Sequence, residues 1–355
     1  MRQLFNNPIR RVLVTGGAGF IGGALIRRLI DDSTLQIFNL DKLGYASNLS
    51  SINNKLTSIK NIDDKYKFIK LDLCDKNHLN DVIKQIDPDL VFHLAAESHV
   101  DRSIDGPKVF LESNIIGTFN LLECIREHLE RLDDERKGFF RFLHISTDEV
   151  YGSLGSGGYF SEDSPYSPRS PYSATKASSD HLVNAWHHTY NIPSIITNCS
   201  NNYGPWQFPE KLIPLAIYNA LDSKNIPMYG DGANVREWLF VDDHVNALIS
   251  AANRGKIGVS YCIGSSEELS NLDVLTLICE YLDEYNFSQF SYKRLIKSVE
   301  DRKGHDFRYS LNSNVIREEL GWKPDYTFKE GLKLTIDWYI KNINWCEVVL
   351  NKKRK

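Results

Sequence analysis

The chain has 355 residues, enough for one large or two modest domains with a sizeable core. Apolar residues make up 42% and charged residues 25%, an ordinary globular balance, and a net charge of -4 gives no footing for nucleic acid or an anionic membrane as partner. The six cysteines are scattered, with no CxxC pair or histidine cluster at metal spacing, which argues for reduced thiols in a cytoplasm and against a bound metal; no apolar run reaches membrane-span length, and Val12–Val14 is too short for a signal-peptide core.

Arg11–Thr15 reads as a buried parallel strand running into Gly16-Gly17-Ala18-Gly19-Phe20-Ile21-Gly22, and Gly23–Ile30 continues at helical period. A GxGxxG by itself is weak; a strand before it and a helix behind it make it a dinucleotide fingerprint. Gly16, Gly19 and Gly22 permit the tight turn and the close approach of a pyrophosphate, whose charge the helix N-terminus favours. The next strand, Leu35–Leu40, ends at Asp41, nineteen residues beyond Gly22. A carboxylate there binds the adenosine ribose hydroxyls and repels a 2′-phosphate, which points to NAD rather than NADP.

Tyr66–Leu71 predicts a third strand ending at Asp72, a candidate for the adenine edge. Asp75–Ile86 reads as a helix stopped by Pro88, and Leu90–Leu94 as a fourth strand. Ala95 and Ala96 then let a dinucleotide lie close to the backbone. His93 reads as a core histidine; His99, past the strand end with Ser98, Asp101 and Arg102, is open between a structural and a site role. Val109–Leu129 reads as a crossover helix.

The fifth strand, Phe139–Ile145, delivers Thr147-Asp148-Glu149 at its C-terminal end, where open α/β sheets bind ligands. A lone Asp-Glu pair would be read as a solvated turn. In this setting the two become candidates for an acid and a base acting on neighbouring atoms of one substrate. A Gly/Ser-rich loop, Gly152–Gly158, and a Pro-rich entry, Ser164–Pro171, lead to Tyr172-Ser-Ala-Thr-Lys176, opening a helix to about Tyr190. Tyr172 and Lys176 share a helix face. A free tyrosine titrates near ~10, so it works as a base near neutrality only beside cations. One cation at ~4 Å supplies about 4 kcal/mol in a partly shielded site. Lys176 and an oxidised nicotinamide ring are two such cations. YxxxK alone is a common chance pair; after a dinucleotide fingerprint and a strand-end carboxylate pair it is not dismissed.

Ile195–Asn198 predicts a sixth strand, followed by polar, Pro-bounded loops of the kind that line sites, Cys199–Pro205 and Pro209–Pro214. Met228–Gly232 is a turn between short strands, leading to Arg236, a phosphate clamp or a surface ion pair. Asp242–Asn253 reads as a helix, Tyr261–Gly264 as another strand of the main sheet, and Ser270–Asp273 as a helix cap. Asp301–Asp306 is a charged loop suited to phosphate or sugar. Val315–Trp322 and Phe328–Asn342 are helical, and Lys352–Lys355 is a solvated tail. Strands alternating with helices predict an α/β fold, a doubly wound Rossmann-type parallel sheet with a smaller C-terminal α/β substrate domain. Residues 1–200 form the NAD-binding part, with 242–266 returning to it; 201–241 and 267–355 form the other.

From Arg11 to Tyr339 the chain resembles the extended short-chain dehydrogenases/reductases, and within them the dTDP-glucose 4,6-dehydratase family. The glycine motif and YxxxK are common to the superfamily. The specific features are Thr147-Asp148-Glu149, His99–Ser103, Ser200–Pro205, Phe208–Lys211 and Asp301-Arg302-Lys303-Gly304-His305. Epimerases of similar build usually lack the Asp-Glu pair, and GDP-mannose dehydratases and UDP-glucuronate decarboxylases usually carry Ser-Glu there. Two departures stand out: Lys303 where the family usually has Pro, and extra glycines after Tyr151.

The resemblance implies that Gly16, Gly19, Phe20, Ile21, Gly22, Asp41, Lys42, Asp72, Leu73, Ala95, Ala96, Ser98, Ser113, Tyr172, Lys176 and Asn202 face NAD. It implies that Ser98, Thr147, Asn201, Glu210, Lys211, Leu212, Pro227, Tyr229, Arg236, Asn271, Asp301 and His305 face a nucleotide-sugar, dTDP-glucose. It assigns catalysis to Thr147, Asp148, Glu149, Tyr172 and Lys176. The implied reaction is C4 oxidation, loss of water across C5 and C6, and hydride return to C6, in deoxysugar (rhamnose-type) biosynthesis by a cytoplasmic homodimer paired near Val109 and Ser178. The competing expectations are a UDP-glucose 4,6-dehydratase, a UDP-sugar 4-epimerase, or an NAD-sensing protein that has lost the chemistry; the last has little use for all four of Tyr172, Lys176, Asp148 and Glu149.

Overall fold

A computed structural model describes residues 3–59, 62–301 and 304–351, so the Lys303 departure and the basic tail Lys352–Lys355 lie outside the described residues. The chain forms β1 (Arg11–Thr15), β2 (Gln36–Asp41), β3 (Tyr66–Lys70), β4 (Leu90–His93), β5 (Arg141–Thr147) and β6 (Ser194–Cys199). There follow β7 (Asn201–Tyr203), β8 (Ile226–Tyr229), β9 (Val235–Phe240), β10 (Ser260–Ile263), β11 (Glu268–Ser270) and β12 (Ile296–Val299). Seven of these make one sheet in the order β10-β6-β5-β4-β1-β2-β3, every pairing parallel. Helices cover both faces, which is why β4 and β6 are buried along their whole length and read as unbroken rather than alternating runs.

Helices Phe20–Leu29 and Val241–Arg254 pack on one face around Val12, Val14, Leu25 and Leu248. Helices Lys76–Ile86, Gly117–Arg131 and Pro171–Tyr190 cover the other around Leu13, Val91, Leu121 and Val183. The chain leaves β1 toward β2 and β3, then returns to place β4 on the other side of β1. That reversal opens a crevice at the carboxyl ends of β1 and β4. The expected sixth strand and the Tyr261 strand both fall in this sheet, as β6 and β10.

The expected crossover helix from Val109 to Leu129 is not continuous α-helix. Leu111–Ile116 is a π-helical turn between Lys108–Phe110 and Gly117–Arg131. The wider turn carries an extra residue and turns Ser113 and Asn114 inward, where both are buried. Asn114 then spends its amide on Glu97, accepting from its N–H at 2.8 Å and donating to its carbonyl at 3.0 Å. This ties the loop after β4 to the crossover.

The C-terminal half builds a second core from Ile213, Ile217, Trp238, Phe240, Ile278, Leu332 and Tyr339. Its strands form a three-stranded sheet, β11-β9-β7, and a parallel pair, β8 with β12. The Ser270–Asp273 cap forms as a reciprocal capping box at the head of helix Asn271–Glu284. A last helix, Ile343–Asn351, was not anticipated; it buries Cys346 and Val349. Among the described residues no helix is long and apolar enough to cross a membrane.

Candidate active site

The crevice between β1 and β4 is built by backbone proximity. Gly16 turns with φ +70°, and a Cβ there would stand 2.6 Å from the Ala95 nitrogen. A Cβ on Gly22 would stand 2.4 Å from the Gly16 carbonyl oxygen. Gly19 begins helix Phe20–Leu29 without any side-chain cap, which leaves the first-turn amides to an anion. At the end of β2, Asp41 is buried and held by three donors: Leu43 N–H at 2.7 Å, the Ser47 hydroxyl at 3.0 Å and Ala18 N–H at 3.1 Å. A carboxylate has about four lone-pair directions, so one remains for a ribose hydroxyl. Lys42 lies 3.4 Å from Glu97 and 3.9 Å from Asp72.

All of the residues expected to face the dinucleotide, from Gly16 to Asn202, line one cavity of about 320 Å³. The glycine cradle, the uncapped helix and the pre-oriented Asp41 fit an NAD molecule. Gly16→Ala is expected to abolish dinucleotide binding and to destabilise the fold by roughly 1–3 kcal/mol, from a strained φ alone, before the clash with Ala95 is counted. Equilibrium dialysis with NAD and thermal unfolding check both parts.

β5 delivers the catalytic candidates. After Thr147 the backbone enters a 3-10 turn, Asp148–Tyr151, and the Thr147 hydroxyl caps it by accepting Glu149 N–H at 3.3 Å. The same hydroxyl donates to Asp148 Oδ1 at 3.2 Å. Asp148 is only 2% exposed, and its Oδ2 has no hydrogen-bond partner among the described residues. Burial first, then the neighbouring Glu149 and Glu237, push its carboxyl well above the ordinary range. That direction favours the protonated form, the one a general acid uses.

Tyr172 opens helix Pro171–Tyr190, whose start is fixed by Pro171 and a Ser170–Ser173 capping box. Its N–H donates to the Ser103 hydroxyl at 3.2 Å, and its ring meets Phe110 edge-on at 6.5 Å. Lys176, expected to draw the phenol's pKa down, lines the same cavity, where two influences oppose it. Burial first, then Glu149, push the phenol well above its usual value. The Lys176 ammonium is instead bound to the Ile145 carbonyl at 2.9 Å and lies 3.3 Å from His144 Nε2.

Behind Lys176 lies a buried cluster that sequence patterning did not flag. Asp180, one turn further along the helix, accepts from the Ser146 hydroxyl at 2.7 Å, the Tyr166 hydroxyl at 2.9 Å and the His144 ring at 3.0 Å. Burial would raise the Asp180 carboxyl, but the His144 hydrogen bond and the His144 and Lys176 charges hold it low. Burial lowers the Lys176 ammonium, and the Asp180 charge opposes that loss. The i, i+4 spacing of Lys176 and Asp180 is the signal that would have found it. His93 is the core histidine expected, fixed between the Thr15 and Thr118 hydroxyls at 2.8 and 2.9 Å.

A second cavity of about 250 Å³ meets the first at Glu149, Ser98, Asn201 and Asn202. Of the residues expected on the sugar-nucleotide side, Ser98, Asn201, Glu210, Lys211, Leu212, Pro227, Tyr229, Arg236, Asn271 and His305 line it, while Thr147 lines the first cavity. Asp301 lines neither; it sits behind His305 and accepts from its Nδ1 at 2.7 Å. Arg236 is no surface ion pair: it is buried, its guanidinium held by the carbonyls of Val235, Asp306 and Phe307. Tyr309 was missed; its ring packs 4.5 Å from Arg236 and its hydroxyl bonds Asp306.

Tyr45 was missed as well. Its hydroxyl bonds Glu210, while its ring lies under Arg102 at 3.6 Å and beside Phe208 at 5.6 Å. The loop after β2 thus reaches the second half of the chain across the mouth of the cleft. Burial pushes the Glu210 carboxyl up to about 7, and Glu210 also lies 3.7 Å from His99.

The family model described as GDP-mannose 4,6 dehydratase matches residues 13–335. The dTDP-glucose 4,6-dehydratase of Shigella flexneri is 50% identical over 348 residues, covering 96% of this chain and 95% of that one. The chain belongs to the dTDP-glucose 4,6-dehydratase family. Among solved structures it is similar to the dTDP-glucose 4,6-dehydratase DesIV of Streptomyces venezuelae, solved with NAD bound, at 42% identity and a TM-score of 0.85, covering 96% of this chain and 99% of that one. The UDP-glucose 4-epimerase of Thermotoga maritima has nearly the same fold, with a TM-score of 0.82 over 94% of this chain and 99% of that one, but only 26% identity. Fold therefore does not separate dehydratase from epimerase here; sequence identity does.

Proposed function

We propose that this chain dehydrates dTDP-glucose to dTDP-4-keto-6-deoxyglucose, with NAD held by the glycine turn, Asp41, Tyr172, Lys176 and Asn202. The observation that carries the proposal is Asp148. A buried carboxyl in the first cavity, its pKa raised by burial, stands beside Glu149, which lines both cavities. An epimerase needs a tyrosine and a lysine, but has no step for that acid and base.

NAD held by the glycine turn and Asp41 beside Tyr172 and Lys176 would supply the hydride chemistry, uptake from C4 of the sugar and return at C6. Tyr172, ionised, accepts the proton of the C4 hydroxyl, and Thr147 hydrogen-bonds the C4 oxygen. The C4 ketone acidifies the C5 hydrogen, which Glu149 removes. Asp148 gives its proton to the departing C6 hydroxyl, and Glu149 returns its own to C5. Arg236 and His305 serve the diphosphate side, and Asn271 the nucleoside.

The test is incubation with dTDP-glucose and UDP-glucose side by side, followed by alkali and the ultraviolet absorbance of a 4-keto-6-deoxy product. Because the hydride is borrowed and returned, no net NADH accumulates under turnover. Steady stoichiometric NADH release would mean a simple dehydrogenase. A C4 epimer as the only product would favour the epimerase reading.

We further infer a division of labour in which residues 1–200 and 242–266 hold NAD while 201–241 and 267–355 hold the nucleotide-sugar. The inferred assembly is a cytoplasmic homodimer in a rhamnose-type pathway. Exposed Ile104, Val109, Leu111 and Ile116, on the elements leading into helix Gly117–Arg131, support pairing there.

A further inference from the structure

The residues of the cleft sort by the cavity they line. Arg236, Asn271 and His305 line the second cavity alone, whereas Glu149, Asn201, Asn202 and Glu210 are shared by the two. Under the proposed dehydration, the sugar is the part of the substrate that must meet NAD. A shared residue therefore faces the sugar, and a residue of the second cavity alone faces the nucleotide. Glu210 belongs to the sugar by this rule. A carboxylate there accepts from hydroxyls and would repel a diphosphate.

A glutamate has several rotatable bonds, and one left unheld charges its ligand the entropy of fixing them. Tyr45 holds this one. Its hydroxyl donates to Glu210 Oε2. His99 Nε2 lies 3.7 Å from the same oxygen, beyond hydrogen-bond reach. The Tyr45 ring is fixed in turn by the Arg102 guanidinium at 3.6 Å and the Phe208 ring at 5.6 Å. The loop that carries Tyr45 is supported on both sides of it. Leu43 N–H and the Ser47 hydroxyl both donate to Asp41 Oδ1, at 2.7 and 3.0 Å, and Asn48 N–H donates to the Ala18 carbonyl at 2.7 Å.

We infer that Tyr45 is a positioning residue for the sugar: carried on a loop of the NAD-binding part, it reaches across the cleft and sets the Glu210 carboxyl to receive a sugar hydroxyl. This rests on the dehydration reading and deepens it with a residue that acts through Glu210.

The test is steady-state kinetics of the NAD-saturated enzyme, reading the KM for dTDP-glucose beside the competitive inhibition constant of dTDP, which lacks the sugar. Tyr45→Phe removes the hydroxyl and keeps the ring against Arg102 and Phe208. It is expected to raise KM about tenfold, the lower range for a lost hydrogen bond to a charged group, with kcat nearly unchanged. The inhibition constant of dTDP should stay at the wild-type value, because dTDP makes no use of Glu210. In a Glu210→Ala background the partner is already gone, so Tyr45→Phe should have no further effect on KM. A KM that Tyr45→Phe leaves unmoved would overturn this role. So would an equal rise in KM and in the dTDP constant, which marks a general loosening of the second cavity, or a full further loss in the Glu210→Ala background. A wild type that makes no 4-keto-6-deoxy product fails the dehydration reading itself, before any variant is compared.

Discussion

Glu149→Gln and Asp148→Asn are each expected to lower formation of the 4-keto-6-deoxy product by ~10²–10⁴-fold, the usual loss when a general acid or base is removed. Gln keeps the shape and a hydrogen bond but cannot accept the C5 proton. Asn cannot give a proton to the leaving C6 hydroxyl. Neither residue acts in the first oxidation, so both variants should still bind NAD and nucleotide-sugar. The two separate in deuterated water. Glu149→Gln loses exchange of the C5 hydrogen, while Asp148→Asn keeps some of it because its base remains. Mass spectrometry of recovered sugar reads the difference, and wild-type product formation in both would remove the pair from the chemistry.

Asp148→Asn should also stabilise the fold. The native carboxyl's pKa lies well above its unfolded value because of burial, Glu149 and Glu237. The folded state therefore binds more protons than the unfolded state once pH exceeds the unfolded pKa, about 4. Stability contributed by the protonated acid is complete below that pH and declines as pH rises toward the folded pKa. Asn does not titrate, so its advantage in thermal midpoint should widen from pH 5 to pH 8. An advantage that is flat or shrinking with pH would show that Asp148 is not buried as a protonated acid.

The parts of this architecture that sequence exposes are those written in local periodicity. The strand, glycine turn and helix from Arg11 to Leu29 lie where a GxGxxG between the two periods puts them. Asp41, Asp148, Tyr172 and Lys176 line the cleft because each sits at a fixed offset from a strand end or helix start. What sequence hid depends on pairs distant along the chain. Tyr45 meets Glu210 across 165 positions, and no local pattern records such a contact. The π-turn at Leu111–Ile116 keeps a helical apolar pattern, so its extra residue is invisible until Asn114 is seen bonded to Glu97. Asp301 is expected at the nucleotide-sugar from the resemblance; its carboxylate is a hydrogen-bond partner of His305, which lines the second cavity. Lys176 shares a face with Tyr172 as the i, i+4 rule requires, but rotamer and burial send its ammonium to the Ile145 carbonyl.

Tyr172→Phe is expected to stop oxidation at C4, lowering turnover by ~10²–10⁴-fold while sparing NAD binding. Binding survives because the residue's N–H to Ser103 and its ring against Phe110 do not involve the phenol oxygen. In the wild type, burial and Glu149 hold the phenol above its ordinary value, so activity that requires the phenolate must rise with pH on the acid side. A positive charge near the phenol moves that limb to lower pH, and removing one moves it to higher pH. Lys176→Met should therefore shift the acid limb of kcat/KM upward, and also weaken NAD binding, since the ammonium lines the same cavity. The lysine's bond to the Ile145 carbonyl gives the shift a further meaning. If the limb moves, the ammonium acts on the phenol through the buried medium or turns toward it when NAD is bound. If only NAD affinity falls and the limb stays, the oxidised nicotinamide is the sole cation that ionises Tyr172. A Tyr172→Phe enzyme of near-normal turnover would remove the phenol from the chemistry altogether.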